Sequence, residues 1–247
     1  MSDEIDINPR SPAEAGRRLI VLASLIRRGF LEEELALETL HEEVADEQFD
    51  LLAWLGDHDL DKELTPGERE LLNTPIGQIA ELDLYDQLSQ IDAAITLAWY
   101  LGLIDDMPEF LAPESEGNLF ELVPAPWDPV GPWLQQLETR PLEELAIQRE
   151  LAEIWSWRAD VAERRRTSTD RQLQEIDIAI RETATESVNA GLVPRQIHGD
   201  LPIGDNAFGH LTPDEQDSVW VAAFDRLHAL NWLCGYGENW SDVPLEV

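Results

Sequence analysis

Residues 212 to 243 read TPDEQDSVWVAAFDRLHALNWLCGYGENWSDV, and this stretch decides the fold class because a helix's start, buried face and stop are all legible in it. Thr212 is a cap residue, Pro213 suits the first helical position, and Glu215 stands where a capping-box carboxylate reaches back to the cap amide. From there Trp220, Phe224, Leu227, Asn231 and Cys234 recur at spacings of four and three, with Ala223 and Leu230 beside them. That period predicts one apolar helical stripe, stopped by Gly235.

The same cap grammar recurs outward along the chain. Ser11-Pro12-Ala13-Glu14 opens a helix carried by Leu19, Leu22, Ala23 and Ile26 and ending at Gly29. Residues 31 to 56 predict two helices with a bend near Asp46, followed by a polar linker at Asp57-His58-Asp59. Thr65-Pro66-Gly67-Glu68 starts a short helix that closes at Thr74-Pro75. Leu84, Leu88, Ile91, Ile95, Ala98 and Gly102, widened by Leu97, Trp99 and Leu101, predict a central helix buried on several sides.

Pro108, Pro113, Pro124, Pro126, Pro129 and Pro132 then disfavour regular structure beyond a short strand or hairpin. Phe110, Leu119, Phe120, Leu122 and Trp127 are too apolar for a free tether, so this connection is expected to lie along the core. Residues 141 to 166 predict a long helix on Ile147, Leu151, Ile154, Arg158 and Val161, with three arginines at its negative end. Residues 170 to 191 predict another on Leu173, Ile176, Ile180 and Ala184, and residues 193 to 210 a loop. The expected fold is all-α: a single bundle-like helical domain over residues 1 to 247, with residues 1 to 10 a flexible tail.

Composition narrows the function classes. The 247 residues include 43% hydrophobic side chains and nine Trp, ample for a core, but 51 acids against 17 cations give a net charge of −34. That sign argues against nucleic acid as a partner. Lys62 is the only lysine, a bias that fits either a GC-rich genome or a salt-adapted cytoplasm. One cysteine, Cys234, excludes an intrachain disulfide and fits a reducing cytoplasm. No apolar run approaches a membrane span, so a soluble protein without a membrane partner is expected.

Chemistry-bearing motifs are sparse. Glu38-x-x-His41 and Asp225-x-x-His228 have metal-bundle spacing but lack the inward carboxylates of two other helices, so no metal and no cofactor are expected. His198-Gly199-Asp200 with Asp205-Asn206 lacks the spacing of a calcium loop, and a loop-shaping role fits it better. No nucleophile elbow, P-loop or dinucleotide fingerprint occurs, which leans away from an enzyme. Arg158 beside Trp155 and Trp157, and Asn231 between Leu230 and Trp232, are polar groups on apolar helices that must find partners. Together with Arg226 and Asp242 they form the candidate buried network or ligand site.

Gly199-Asp200-Leu201-Pro202, the run Arg226-Leu227-His228-Ala229-Leu230-Asn231-Trp232-Leu233-Cys234-Gly235 and the tail Trp240-Ser241-Asp242-Val243 carry a resemblance. So do Ala98-Trp99-Tyr100-Leu101-Gly102-Leu103, Met107-Pro108, Arg140-Pro141-Leu142-Glu143-Glu144 and Trp155-Ser156-Trp157-Arg158. In these the chain resembles the bacterial family named domain of unknown function 4272, which implies one domain and transfers no reaction. The family pattern places His directly after Arg, whereas Leu227 follows Arg226 here and the imidazole falls at His228.

Two function classes follow. The first is an interaction protein, immunity- or inhibitor-like, whose acidic surface binds a basic protein partner. Its expected docking segment is residues 105 to 121, with Asp105, Asp106, Glu109, Glu114 and Glu116, because residues 61 to 126 hold acids in large excess over Lys62 and Arg69. The second is an enzyme or small-ligand binder using a polar pocket near Arg158, Arg226 and Asn231.

Overall fold

The computed structural model describes residues 7–36, 41–80, 90–111 and 115–245. Among these the chain is overwhelmingly helical: α1 (Pro12–Ala36), α2 (His41–Asp57), α3 (Pro66–Asn73), α4 (Ile91–Tyr100), α5 (Ser115–Leu122), α6 (Val130–Leu134), α7 (Leu142–Arg166), α8 (Asp170–Asn189) and α9 (Pro213–Leu233). A hairpin of β1 (Pro202–Ile203) with β2 (Asn206–Ala207) is the only sheet among the described residues. It falls in the segment expected to be loop.

Local signals place several of the ends. Thr65 with Glu68 and Thr212 with Glu215 each form a reciprocal capping box, and Thr169 with Gln172 forms a third. Gly235 follows α9 at φ 89°, and any Cβ there would stand 2.3 Å from the Asn8 carbonyl oxygen. Glycine therefore both stops the helix and admits the N-terminal segment. Asn8 N–H donates to the Cys234 carbonyl and Arg10 N–H to that of Leu233, so the segment read as a tail to residue 10 is docked at residues 8 and 10.

Two boundaries differ from expectation. The first helix runs through Gly29 to Ala36. Glycine inside a helix costs only about 1 kcal/mol, and here Leu31 is fully buried while Arg28 pairs with Glu32 at 2.7 Å across that turn. The second helix passes unbroken through Asp46, since Val44, Gln48, Leu51 and Leu55 bury one face while Asp46 stays exposed. Leu84 and Leu88 of the expected central helix lie outside the described residues.

Helix α4 is the centre of the larger core. Every residue in it except Asp92 is buried, and it packs between α1 and α9, with α2 closing the far side of α1. Truncating a fully buried Leu such as Leu97 costs about 2–5 kcal/mol in such a setting. A second apolar cluster joins Trp155, Ala159 and Ala162 of α7, Ala184 of α8, Phe208 beyond the hairpin, and Val219 and Ala223 of α9. Helices α7 and α9 thus run through both clusters, and a seam falls where one gives way to the other, near Ala152, Trp155 and Arg226.

That arrangement overturns part of the expected stripe on α9. Trp220 and Phe224 are 43% and 37% exposed, and the buried face of the first turns is instead Val219, Ala223 and Arg226. Ile147 on α7 and Trp127 in the connection also face outward, the latter at φ 78°. Leu119 is buried and Phe110, Phe120 and Leu122 pack against the clusters, so the connection lies along the core at those residues, but it carries α5 and α6 where the prolines were expected to disfavour regular structure.

Candidate functional site

Arg158 stands one helical turn beyond Trp155 on the buried face of α7 and is 2% exposed. Its Nε donates to Asp200 Oδ1 at 2.7 Å and its Nη2 to Oδ2 at 2.6 Å, a bidentate pair. Asp200 also accepts the Leu201 and Gly209 amides at 2.8 and 2.9 Å. His198 and Gly199 precede it at φ 52° and 80°, a left-handed pair that turns the chain so that Ile197 and Asp200 bridge. The carboxylate therefore shapes the 197–209 loop, as the sequence indicated, but its arginine partner was not foreseeable from spacing.

Above this pair lies a hollow of about 550 Å³ between α7, α8 and the loop. Arg158 lines it with Arg165, Arg166, Arg181, His198 and His210. Arg165 pairs with Asp177, Arg166 with Asp217 and Glu163, while Arg181, among the described residues, donates only to the Asp177 carbonyl of its own helix. The two imidazoles lie 5.2 Å apart. Arg158 Nη1 is buried without a hydrogen-bond partner among the described residues.

A second pocket, about 640 Å³, opens at the seam between the two apolar clusters. Met107, Pro108, Phe110, Leu151, Trp155 and Ile203 give it apolar walls, and Asp106 and Glu109 contribute carboxylates. Arg226 also lines it, but its charge is engaged: Nε donates to Asp92 at 2.7 Å, Nη1 to the Pro108 carbonyl at 2.8 Å, and the guanidinium lies over Phe110. Arg195, the other cation there, pairs with Asp205 at 2.7 Å.

Asn231 belongs to neither pocket. It is fully buried, accepts from Arg149 Nε at 2.9 Å and donates to the Pro244 carbonyl at 2.8 Å, fastening the C-terminal tail to α7 and α9. Trp232 stacks edgewise on Trp240 at 5.3 Å, whereas Asp242 is exposed and accepts from Asn239. Trp157 is half-buried and lines neither pocket. The residues grouped in sequence thus divide among three separate sets of partners.

Asp105, Asp106 and Glu109 are all exposed, Glu114 lies outside the described residues, and so does the side chain of Glu116. Glu38 of the first histidine motif is likewise outside them, as is the His41 side chain. His228 packs on Trp240 at 4.6 Å, and burial with the nearby Arg18 charge pushes its pKa down to about 4. Among the described residues no three His, Cys, Asp or Glu side chains gather as a metal site, and no helix is long and apolar enough to cross a membrane.

The family model described as Domain of unknown function (DUF4272) matches residues 1–188. The chain belongs to this family. The DUF4272 match takes in the segments around Trp99, Arg140 and Trp155, and ends before Gly199 and the 226–243 stretch. Each of the three polar contacts joins a residue within the DUF4272 match to one beyond it: Arg158 to Asp200, Asp92 to Arg226, Arg149 to Asn231. No curated protein and no solved structure matches the chain.

Proposed function

We propose that this protein is an interaction module that binds a basic protein segment at the seam pocket, and works in the cytoplasm. The observation that carries the reading is that Asp106 and Glu109 line the same pocket as Met107, Phe110, Leu151 and Trp155. A partner presenting an apolar side chain flanked by Lys or Arg would seat the first on those walls and the second against the acids. The competing cations at the site are already spoken for, Arg226 by Asp92 and Arg195 by Asp205.

Charge complementarity supports the same occupant. A net charge of −34 draws a cationic segment from a distance, and clustered exposed acids beside an apolar hollow supply a place to stop. Asp105, with its carbonyl held by Arg140, extends the acidic edge from an anchored backbone.

An octapeptide of alternating Lys and Trp, with an acidic Glu-Trp control, tests the reading by stopped-flow association at low and high salt. The triple variant Asp105→Asn, Asp106→Asn, Glu109→Gln should associate about tenfold more slowly at low salt, with the gap closing as salt screens it. Neutralising Asp170, Glu182 and Glu186 on α8 should slow it far less. Equal slowing by the two variants, or a rate indifferent to salt, overturns the seam as the docking place.

A further inference from the structure

The hollow above Arg158 is a concentration of positive charge in a chain that has little of it. With 17 cations against 51 acids, a pocket taken at random in this protein would be acidic. This one gathers four arginines and two histidines, and only two aspartates, Asp177 and Asp200, line it. Both aspartates are committed, one to Arg165 and the other to Arg158 and two amides.

The loop-holding role of Arg158 accounts for its Nε and Nη2 and for nothing else at the site. It leaves Nη1 unpartnered among the described residues on a side chain that is 2% exposed, a costly arrangement that calls for a reason. Nor does it account for Arg181, which has no carboxylate partner among the described residues. Arg181 is nevertheless held in place: a Cβ on Gly199 would come within 2.8 Å of its Cγ, so its stem lies directly over that glycine. His198 and His210 stand together at the same opening.

We infer that this hollow is a binding site for a small phosphate monoester, with Arg158 at its floor and Arg181, Arg165, His198 and His210 around it. A phosphate dianion carries three acceptor oxygens and suits several guanidinium forks at once, whereas a carboxylate would satisfy one and leave the others unmatched. The ligand is compact because the chain as a whole carries a net charge of −34 and repels a polyanion that extends past the pocket. Leu173, Ile180, Ala162 and Ala207 give the hollow an apolar side for the organic part of the ester. The volume is within the usual range for small-molecule sites, roughly 300–1,000 Å³.

Calorimetric titration of the full chain with phenyl phosphate, inorganic phosphate and benzoate decides it. Both phosphates should bind at one site, benzoate at least about tenfold more weakly, and Arg181→Gln should weaken phosphate binding about tenfold with an unchanged melting temperature. Arg181 is exposed and holds no carboxylate among the described residues, so this variant spares the fold where an Arg158 substitution would not. The variant Asp106→Asn, Glu109→Gln should bind phosphate like the parent, which keeps this site separate from the seam. No saturable phosphate binding, equal binding by Arg181→Gln, or benzoate binding as tightly as phenyl phosphate overturns the assignment.

Discussion

Arg158 and Asp200 meet through two parallel hydrogen bonds of 2.7 and 2.6 Å although 42 residues separate them. The pair ties α7 to the hairpin segment, with the guanidinium lying 4.3 Å from the Phe208 ring centre. Breaking such a pair leaves one charge buried alone, at a cost of about 3–5 kcal/mol. Asp200→Asn should therefore lower the melting temperature by roughly 10 °C for a chain of this size. The double variant with Arg158→Leu should recover part of that loss, and a double-mutant cycle in urea measures the coupling. Additive losses would show that the two residues do not depend on one another.

Asn231→Leu conserves volume yet deprives the Arg149 Nε and the Pro244 carbonyl of their partner. Loss of about 1–3 kcal/mol is expected from the unsatisfied groups, seen as a lower thermal midpoint. Binding at the seam and at the arginine hollow should be unaffected, because Asn231 lines neither. An unchanged midpoint with lost binding would make it a ligand residue instead.

His228 gives stability a pH dependence of definite sign. Its folded pKa, about 4, lies below the ordinary 6.5, chiefly through burial and secondarily through the Arg18 charge, so between these values the unfolded chain takes up a proton that the folded chain refuses. Stability from this group is present above about pH 6.5 and is lost as pH falls toward about 4. The drop is on the order of 3 kcal/mol. Urea midpoints at pH 7 and pH 5 should differ less in His228→Gln than in the parent, and an equal difference would contradict the assignment.

Cys234 is 1% exposed and burial pushes its thiol up to about 11. The thiolate is the reactive form, so alkylation by iodoacetamide at pH 8 should be very slow in the folded protein and rapid in denaturant. Fast labelling of the native chain would mean that the end of α9 opens readily, together with the Asn8 strap across it.

Much of the framework was legible in residues that act on their near neighbours. Thr65 with Glu68 and Thr212 with Glu215 cap where the cap grammar put them, and α8 ends just before Gly191, whose φ is 78°. These signals work because a cap or a left-handed stop involves groups three or four residues apart. The helical class of the fold follows from them, while composition alone gives the acidic character that makes a basic partner the reading to test.

Only the tertiary structure decided which faces meet. On α9 apolar residues occur all round the helix, so the period alone could not choose between Trp220 with Phe224, which remain exposed, and Val219 with Ala223, which are buried in the second apolar cluster. Arg158 was visible as a polar group needing a partner, but Asp200 reaches it only because the loop after α8 folds back over α7. Arg181 and His210 carried no motif, and His198 only one that read as loop-shaping; they form a site because packing brings α7, α8 and the 197–210 loop around one hollow. Local chemistry sets where helices begin and end, whereas a pocket depends on which distant faces the chain can bury together.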